Sequence, residues 1–329
     1  MRRRDVLHMI PVGALGLLGP RARAQASSLP SIGVVVVGRP DGSPAPLVGT
    51  IGPALASLGW IDGHTAHVLV RDAQGRLDQL APLIEELARG PVDVLVVGGA
   101  TVAQEAVRVT QDIPIIVSGT GIDPVRAGWA ESYARPGRNV TGLTLANDEV
   151  IDKQLEVLRT AIPSASHVGI LVTRANAATE PTAKRAEAVA ARMGLRASLG
   201  FVLNQTDVDP EIGRLRNAGV EVLVVLVDPA MDNLRNAIAE RAIMARLPTI
   251  GQLPFYGAAG FLLVYAADLS AIHRRTAIFV DRILKGAKAS VLPFESPSQF
   301  TLTLNLRTAK TLGLDVPTSV LAQADEVIE

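Results

Sequence analysis

Val92-Asp93-Val94-Leu95-Val96-Val97-Gly98-Gly99-Ala100-Thr101-Val102 is the stretch that decides how this chain folds. The run Val92–Val97 is β-branched and nearly free of polar residues, as a strand buried on both faces requires. Gly98-Gly99 ends it, and Thr101–Thr110 continues at helical spacing. Strand, tight turn and helix make half of a βαβ unit, whose crossover is nearly always right-handed.

The unit recurs along the chain. Ile32–Val37 is a continuous apolar run, followed by the Gly/Pro-rich loop Gly38–Pro46 and a helix to about Leu58. His67–Val70 predicts a strand, Leu77–Ala88 an amphipathic helix and Ile113–Val117 another strand. The turn-rich Ala134–Asn139 interrupts the series, and a short extended piece, Val140–Leu143, follows. A second series then begins: helix Asp148–Ala161, strand His167–Val172, helix Thr179–Met193, strand Arg196–Val202, helix Asp207–Ala218, strand Val220–Val227 and helix Met231–Ala245. Leu247–Gly251, Phe261–Val264 and Phe300–Leu304 read as strands, with a long helix over Leu269–Lys285. The expected fold is α/β, with two similar doubly wound parallel-sheet lobes joined by a multi-strand hinge. Residues 27–142 with about 266–298 form the first lobe, and 143–265 with about 299–329 the second. In open α/β sheets ligands sit beyond the carboxyl ends of the strands, which here would face the cleft between the lobes.

Composition narrows the function classes. Thirty-two Lys and Arg balance 32 Asp and Glu, so no net positive field favours nucleic acid or an anionic membrane. Hydrophobic residues make up 48% and charged residues 19%, as in a globular protein with large aliphatic cores. There is no cysteine, which excludes disulfides, thiolate metal sites and a lipidated cysteine.

Residues 1–26 have the layout of a secretory signal peptide: Arg2-Arg3-Arg4, an apolar run from Val6 to Gly19, and Ala24-Gln25-Ala26 as a cleavage site. The run is too short for a bilayer, which needs about 20 apolar residues. The arginines before Asp5-Val6-Leu7 resemble a twin-arginine export signal. The expectation is a mature periplasmic protein starting near Ser27.

Ala134-Arg135-Pro136-Gly137-Arg138-Asn139-Val140-Thr141-Gly142-Leu143-Thr144 resembles the ARPGGNVTGLS stretch of the solute-binding proteins of ABC transporters, the group that includes tryptophan-binding-type proteins. Asn305–Leu314, Pro317, Ala324–Glu329, Ile283–Lys288 and Leu58-Gly59-Trp60 fit the same pattern. The resemblance spans the mature chain and implies a type I periplasmic-binding-protein fold that delivers a small solute to a membrane permease. Gly137-Arg138 replaces the usual double glycine, Gly121-Ile122-Asp123-Pro124-Val125 shifts the usual GDPV loop, and Tyr265-Ala266-Ala267-Asp268 stands for Tyr-Gly-Pro-Asp. These departures lie near the expected cleft, so they bear on ligand identity more than on fold.

Candidate ligand contacts follow from the strand ends. Thr101 and Val102 open a helix whose free N–H groups favour an anion such as a carboxylate; the alternative is that Thr101 is only a cap. Ser118 and Thr120 offer hydroxyls at the next junction, or are ordinary loop residues. Asn176 follows a strand of the second lobe. Asp228 could pair with a ligand ammonium, or cap the helix beginning near Met231. Tyr256, beside Phe255 in a Pro/Gly loop, could cover a ligand, although aromatic rings are more often core. Arg39 and Asp41 either line the mouth or are solvated.

Catalytic patterns are missing. His8, His64, His67, His167 and His273 show no metal-ligand spacing, and there is no phosphate loop, dinucleotide fingerprint or nucleophile elbow. The expected protein is a monomeric solute-binding component of an importer, without cofactor or metal. Its rivals are a sensory binding module and a periplasmic enzyme on a small metabolite.

Overall fold

The computed structural model describes residues 29–39, 42–174 and 179–329. The expected signal peptide, Asp41 and Asn176 lie outside them. Five parallel strands form the first sheet: β1 (Ser31–Val36), β2 (His67–Asp72), β3 (Val94–Gly98), β4 (Ile115–Thr120) and β5 (Val140–Thr144), in the order β2-β1-β3-β4-β5. All of β1 is buried, whereas every residue of β2, at the sheet edge, is half-buried or exposed. Helices α1 (Pro46–Ala56), α2 (Leu80–Arg89) and α3 (Gly99–Val109) connect these strands. The amphipathic pattern of α2 buries Leu80, Ile84 and Leu87 along one stripe.

The chain then enters the second sheet through α4 (Asn147–Ala161). Strands β6 (His167–Thr173), β7 (Arg196–Val202), β8 (Val222–Val225), β9 (Thr249–Gly251) and β10 (Leu263–Ala267) alternate with α5 (Glu180–Arg192), α6 (Gln205–Asn217), α7 (Pro229–Met244) and the short α8 (Tyr256–Ala259). Their order, β7-β6-β8-β9-β10, repeats that of the first sheet. The long helix α9 (Leu269–Leu284) leaves β10 and packs back on α1 and β4 of the first lobe. The chain returns as β11 (Phe300–Asn305), followed by α10 (Leu306–Leu312), α11 (Thr318–Gln323) and β12 (Glu326–Ile328). Here the second sheet departs from a purely parallel design, because β11 runs antiparallel to β10 and β12 pairs parallel to β11.

The crossings between lobes are stitched together. The Glu295 N–H donates to the Gly142 carbonyl at 3.0 Å, and the Thr144 N–H to the Glu295 carbonyl at 2.9 Å. Arg275 on α9 grips the Glu295 carboxylate through Nε at 2.5 Å and Nη2 at 2.6 Å. Gly142 has φ +141°, and a Cβ there would lie 2.2 Å from the Val117 carbonyl oxygen. Only glycine fits that approach.

Candidate functional site

The carboxyl ends of β1 and β3 diverge at the point where strand order reverses, and β6 and β8 do the same in the second sheet. Such switch points are where open α/β sheets bind ligands. A cavity of about 120 Å³ lies here, walled by both lobes. From the first come the loop after β1 with Arg39, Gly98-Gly99-Ala100, Ser118 and, on α9, His273; from the second come Asp228, Pro229, Asp232 and Phe255. Most of the remaining wall is aliphatic or glycine.

The lobes touch across this cavity. The Thr101 hydroxyl donates to the Asp228 carboxylate, at 2.9 Å to Oδ2 and 3.1 Å to Oδ1. Asp228 also caps α7 by accepting from the Ala230 N–H at 2.9 Å. Of the two roles open from sequence for Asp228, the structure shows the helix cap, and it places the same carboxylate on the cavity wall. Gly99, at φ +84°, meets Pro229 so closely that a Cβ would stand 2.9 Å from the ring Cγ. Arg39 reaches Asp232 at 3.7 Å, and Asp232 is held on its own helix by Arg235 at 3.0 Å. Both guanidiniums lie over the Phe255 ring, 5.3 and 5.5 Å from its centre. Burial raises the Asp232 carboxyl above the usual range, although Arg235 and Arg39 both pull it down. The arrangement is a closed one.

The hydrogen-bond roles on the wall are nearly all assigned. Thr276 donates its proton to the Ile272 carbonyl at 2.9 Å, so the 2.8 Å contact between Ser118 and Thr276 uses the Ser118 proton. Thr50 donates to the Pro46 carbonyl at 2.8 Å. Its 2.6 Å contact with His273 Nδ1 therefore has the imidazole as donor, which leaves Nε2 an acceptor. Burial depresses the His273 pKa to about 4, so the ring is neutral near pH 7. Thr101 spends its proton on Asp228. Asp228, Ser118 and His273 thus line the cavity as acceptors. Arg39 is the contrary group: its Nε is buried and has no hydrogen-bond partner among the described residues.

The structure does not bring all the sequence candidates to this cavity. Ser118 and Asp228 line it, and Thr101 backs it through Asp228. Val102 is fully buried in the first-lobe core, and Tyr256 is fully buried against Phe261, with ring centres 4.6 Å apart. Neither is on the wall. Phe255 takes the position expected of its neighbour, because the first turn of α8 points residue 256 inward. Thr120 lines a separate polar cavity of about 280 Å³ with Arg126 and Glu149, and its hydroxyl donates within its own turn to the Ile122 carbonyl at 3.1 Å. Asp232 and His273 were not singled out from sequence. Asp232 had a usable signal, lying four residues after Asp228 on one helix face. His273 had none, since α9 reaches the site only by folding back across the hinge. Among the described residues no group of three or more His, Cys, Asp or Glu could hold a metal ion.

Two α/β lobes of equal strand order, closing on a small cavity at their switch points, define a binding protein of the type I periplasmic fold. The chain belongs to the ABC transporter substrate binding protein family, whose model matches residues 31–328. A tyrosine-binding protein of Clostridioides difficile (strain R20291) is 22% identical over 262 residues, covering 79% of this chain and 74% of that protein. Among solved structures, a conserved domain protein from Vibrio cholerae superposes with a TM-score of 0.83 at 22% identity, covering 91% of this chain and 100% of that one. An ABC domain from Streptococcus pneumonia in complex with L-Trp gives 0.80 at 21% identity, covering 90% and 100%.

Proposed function

We propose that this chain is the periplasmic solute-binding component of an ABC importer, exported by its N-terminal signal peptide, capturing a small amino acid and delivering it to a membrane permease. The observation that carries the reading is the two-sided cavity, where the buried Asp228 carboxylate of one lobe meets Thr101 of the other. An ammonium group is the natural partner for a wall of acceptors that includes a carboxylate. The amino-acid ligands named for the tyrosine-binding relative and the L-Trp complex support the same head-group chemistry. The cavity, about 120 Å³ and partly open to solvent, is slightly smaller than the engineered cavity of about 150 Å³ that accepts benzene. Its volume suits a compact amino-acid head group.

Closure follows if the solute binds the closed arrangement better than the open one, since equal affinity would shift nothing. The lobes, 27–142 with about 266–298 and 143–265 with about 299–329, then act as two bodies on the stitched crossings, and the monomer presents its closed face to the permease. No helix among the described residues is long and apolar enough to cross a membrane. Calorimetric titration with the L-amino acids, small carboxylates and sugars tests the proposal. Saturable binding of at least one amino acid supports it, and heat only from sugars, or from none of the three classes, overturns it.

A further inference from the structure

We infer that Arg39 holds the carboxylate of the solute, in place of the α3 N-terminus that the sequence favours for an anion; the inference rests on the amino-acid reading above. The first turn of α3 is already occupied. In the closed arrangement the Asp228 carboxylate already lies against the first turn of α3, bonded to Thr101, and Pro229 packs on Gly99. A second carboxylate at that turn would sit beside the first, and like charges at such range repel strongly in a buried site.

Free protons are also scarce on the cavity wall. A carboxylate needs donors. The Thr101 hydroxyl gives its proton to Asp228, Ser118 to Thr276, and the His273 imidazole to Thr50. The Arg39 guanidinium carries Nε–H without a partner among the described residues, while its side chain is only 15% exposed. A buried N–H left unmade is costly, so an incoming acceptor gains by satisfying it.

The spacing of the charged groups fits as well. Arg39 is fixed by Asp232, and Asp228 and Asp232 are four residues apart at the start of α7, about 6 Å along a helix. A carboxylate at one end of that step and a guanidinium at the other match the ammonium and carboxylate of a single zwitterion. Arg39 comes from the first lobe, and its partners Asp232 and Phe255 come from the second. It can therefore read the carboxylate only after the lobes close.

The test is a comparison of Arg39→Gln with the unmodified protein by calorimetric titration. The probes are the L-amino acid that binds tightest in the panel and its own carboxamide. The unmodified protein should prefer the acid to the amide by about 10- to 100-fold, the range for a hydrogen bond to a charged group. Arg39→Gln should lose most of that preference, binding the acid 10-fold or more weaker and the amide within about threefold of its original affinity. Any weakening of lobe closure through Asp232 affects both probes alike and cancels in the ratio. Equal loss for acid and amide would make Arg39 a closure contact only and overturn the assignment, as would an acid affinity unchanged by the substitution. If no amino acid binds the unmodified protein, the functional proposal falls first and the assignment with it.

Discussion

Gly99→Ala should act as a wedge. Gly99 stands at φ +84° with a Cβ position 2.9 Å from Cγ of Pro229 in the opposite lobe. An L-residue in left-handed backbone costs about 1–2 kcal/mol whether the lobes are open or closed, which lowers stability but not affinity. The clash with the proline ring exists only when the lobes meet. Overpacking against a rigid group costs about 1–3 kcal/mol, or roughly 5- to 150-fold in the closing equilibrium. Solute affinity, read by calorimetry, should fall by the same factor, because binding is coupled to closure. Adding Pro229→Ala removes the ring at a helix N1 position, where proline is not essential, and should restore affinity while leaving the lower melting temperature of Gly99→Ala in place. Full affinity in Gly99→Ala, or a double variant as weak as the single one, would refute the reasoning.

Asp228→Asn retains a good helix cap and an acceptor for Thr101, so it should cost only about 1 kcal/mol in chemical denaturation. Its affinity for amino acids should nonetheless fall by 10-fold or more, and a full-strength variant would remove Asp228 from the ammonium site. Tyr256→Phe deletes a buried hydroxyl that has no hydrogen-bond partner among the described residues. It should keep affinity and gain about 1 kcal/mol of stability, whereas Phe255→Ala should weaken binding. Because His273 titrates near pH 4 when folded and near 6.5 when unfolded, the unfolded chain binds the extra proton between those values. Stability from this group is therefore full above about pH 6.5 and falls by about 3 kcal/mol as pH drops toward 4. Denaturant midpoints across that window should flatten in His273→Gln; an unchanged slope would contradict the depressed pKa.

The parallel core was readable from sequence because strands buried on both faces leave no polar alternation. Val94–Val97 and Val222–Val225 are almost entirely inaccessible. What escaped was the end of the second sheet. The strand Glu326–Ile328 is short and largely exposed, so its pairing depends on β11 rather than on its own pattern. At the site, the loops carrying Thr101, Ser118 and Asp228 could be located because strand carboxyl ends carry ligands in this architecture. The choice between Phe255 and Tyr256 could not be made, since the phase of a four-residue helix is set by packing. The contact of Thr101 with Asp228 joins residues far apart in sequence, and only the fold reveals it.

The most direct test of the account is the separation of the lobes with and without solute. Because the chain has no cysteine, Asp78→Cys and Thr206→Cys place unique labels at the exposed starts of helical segments, one in each lobe on the cleft side. Pulsed spin-label distance measurement should show one short distance, that of the closed arrangement, when a binding amino acid is saturating, and a longer distance without it. An identical distribution with and without an amino acid that calorimetry shows to bind would contradict capture between closing lobes.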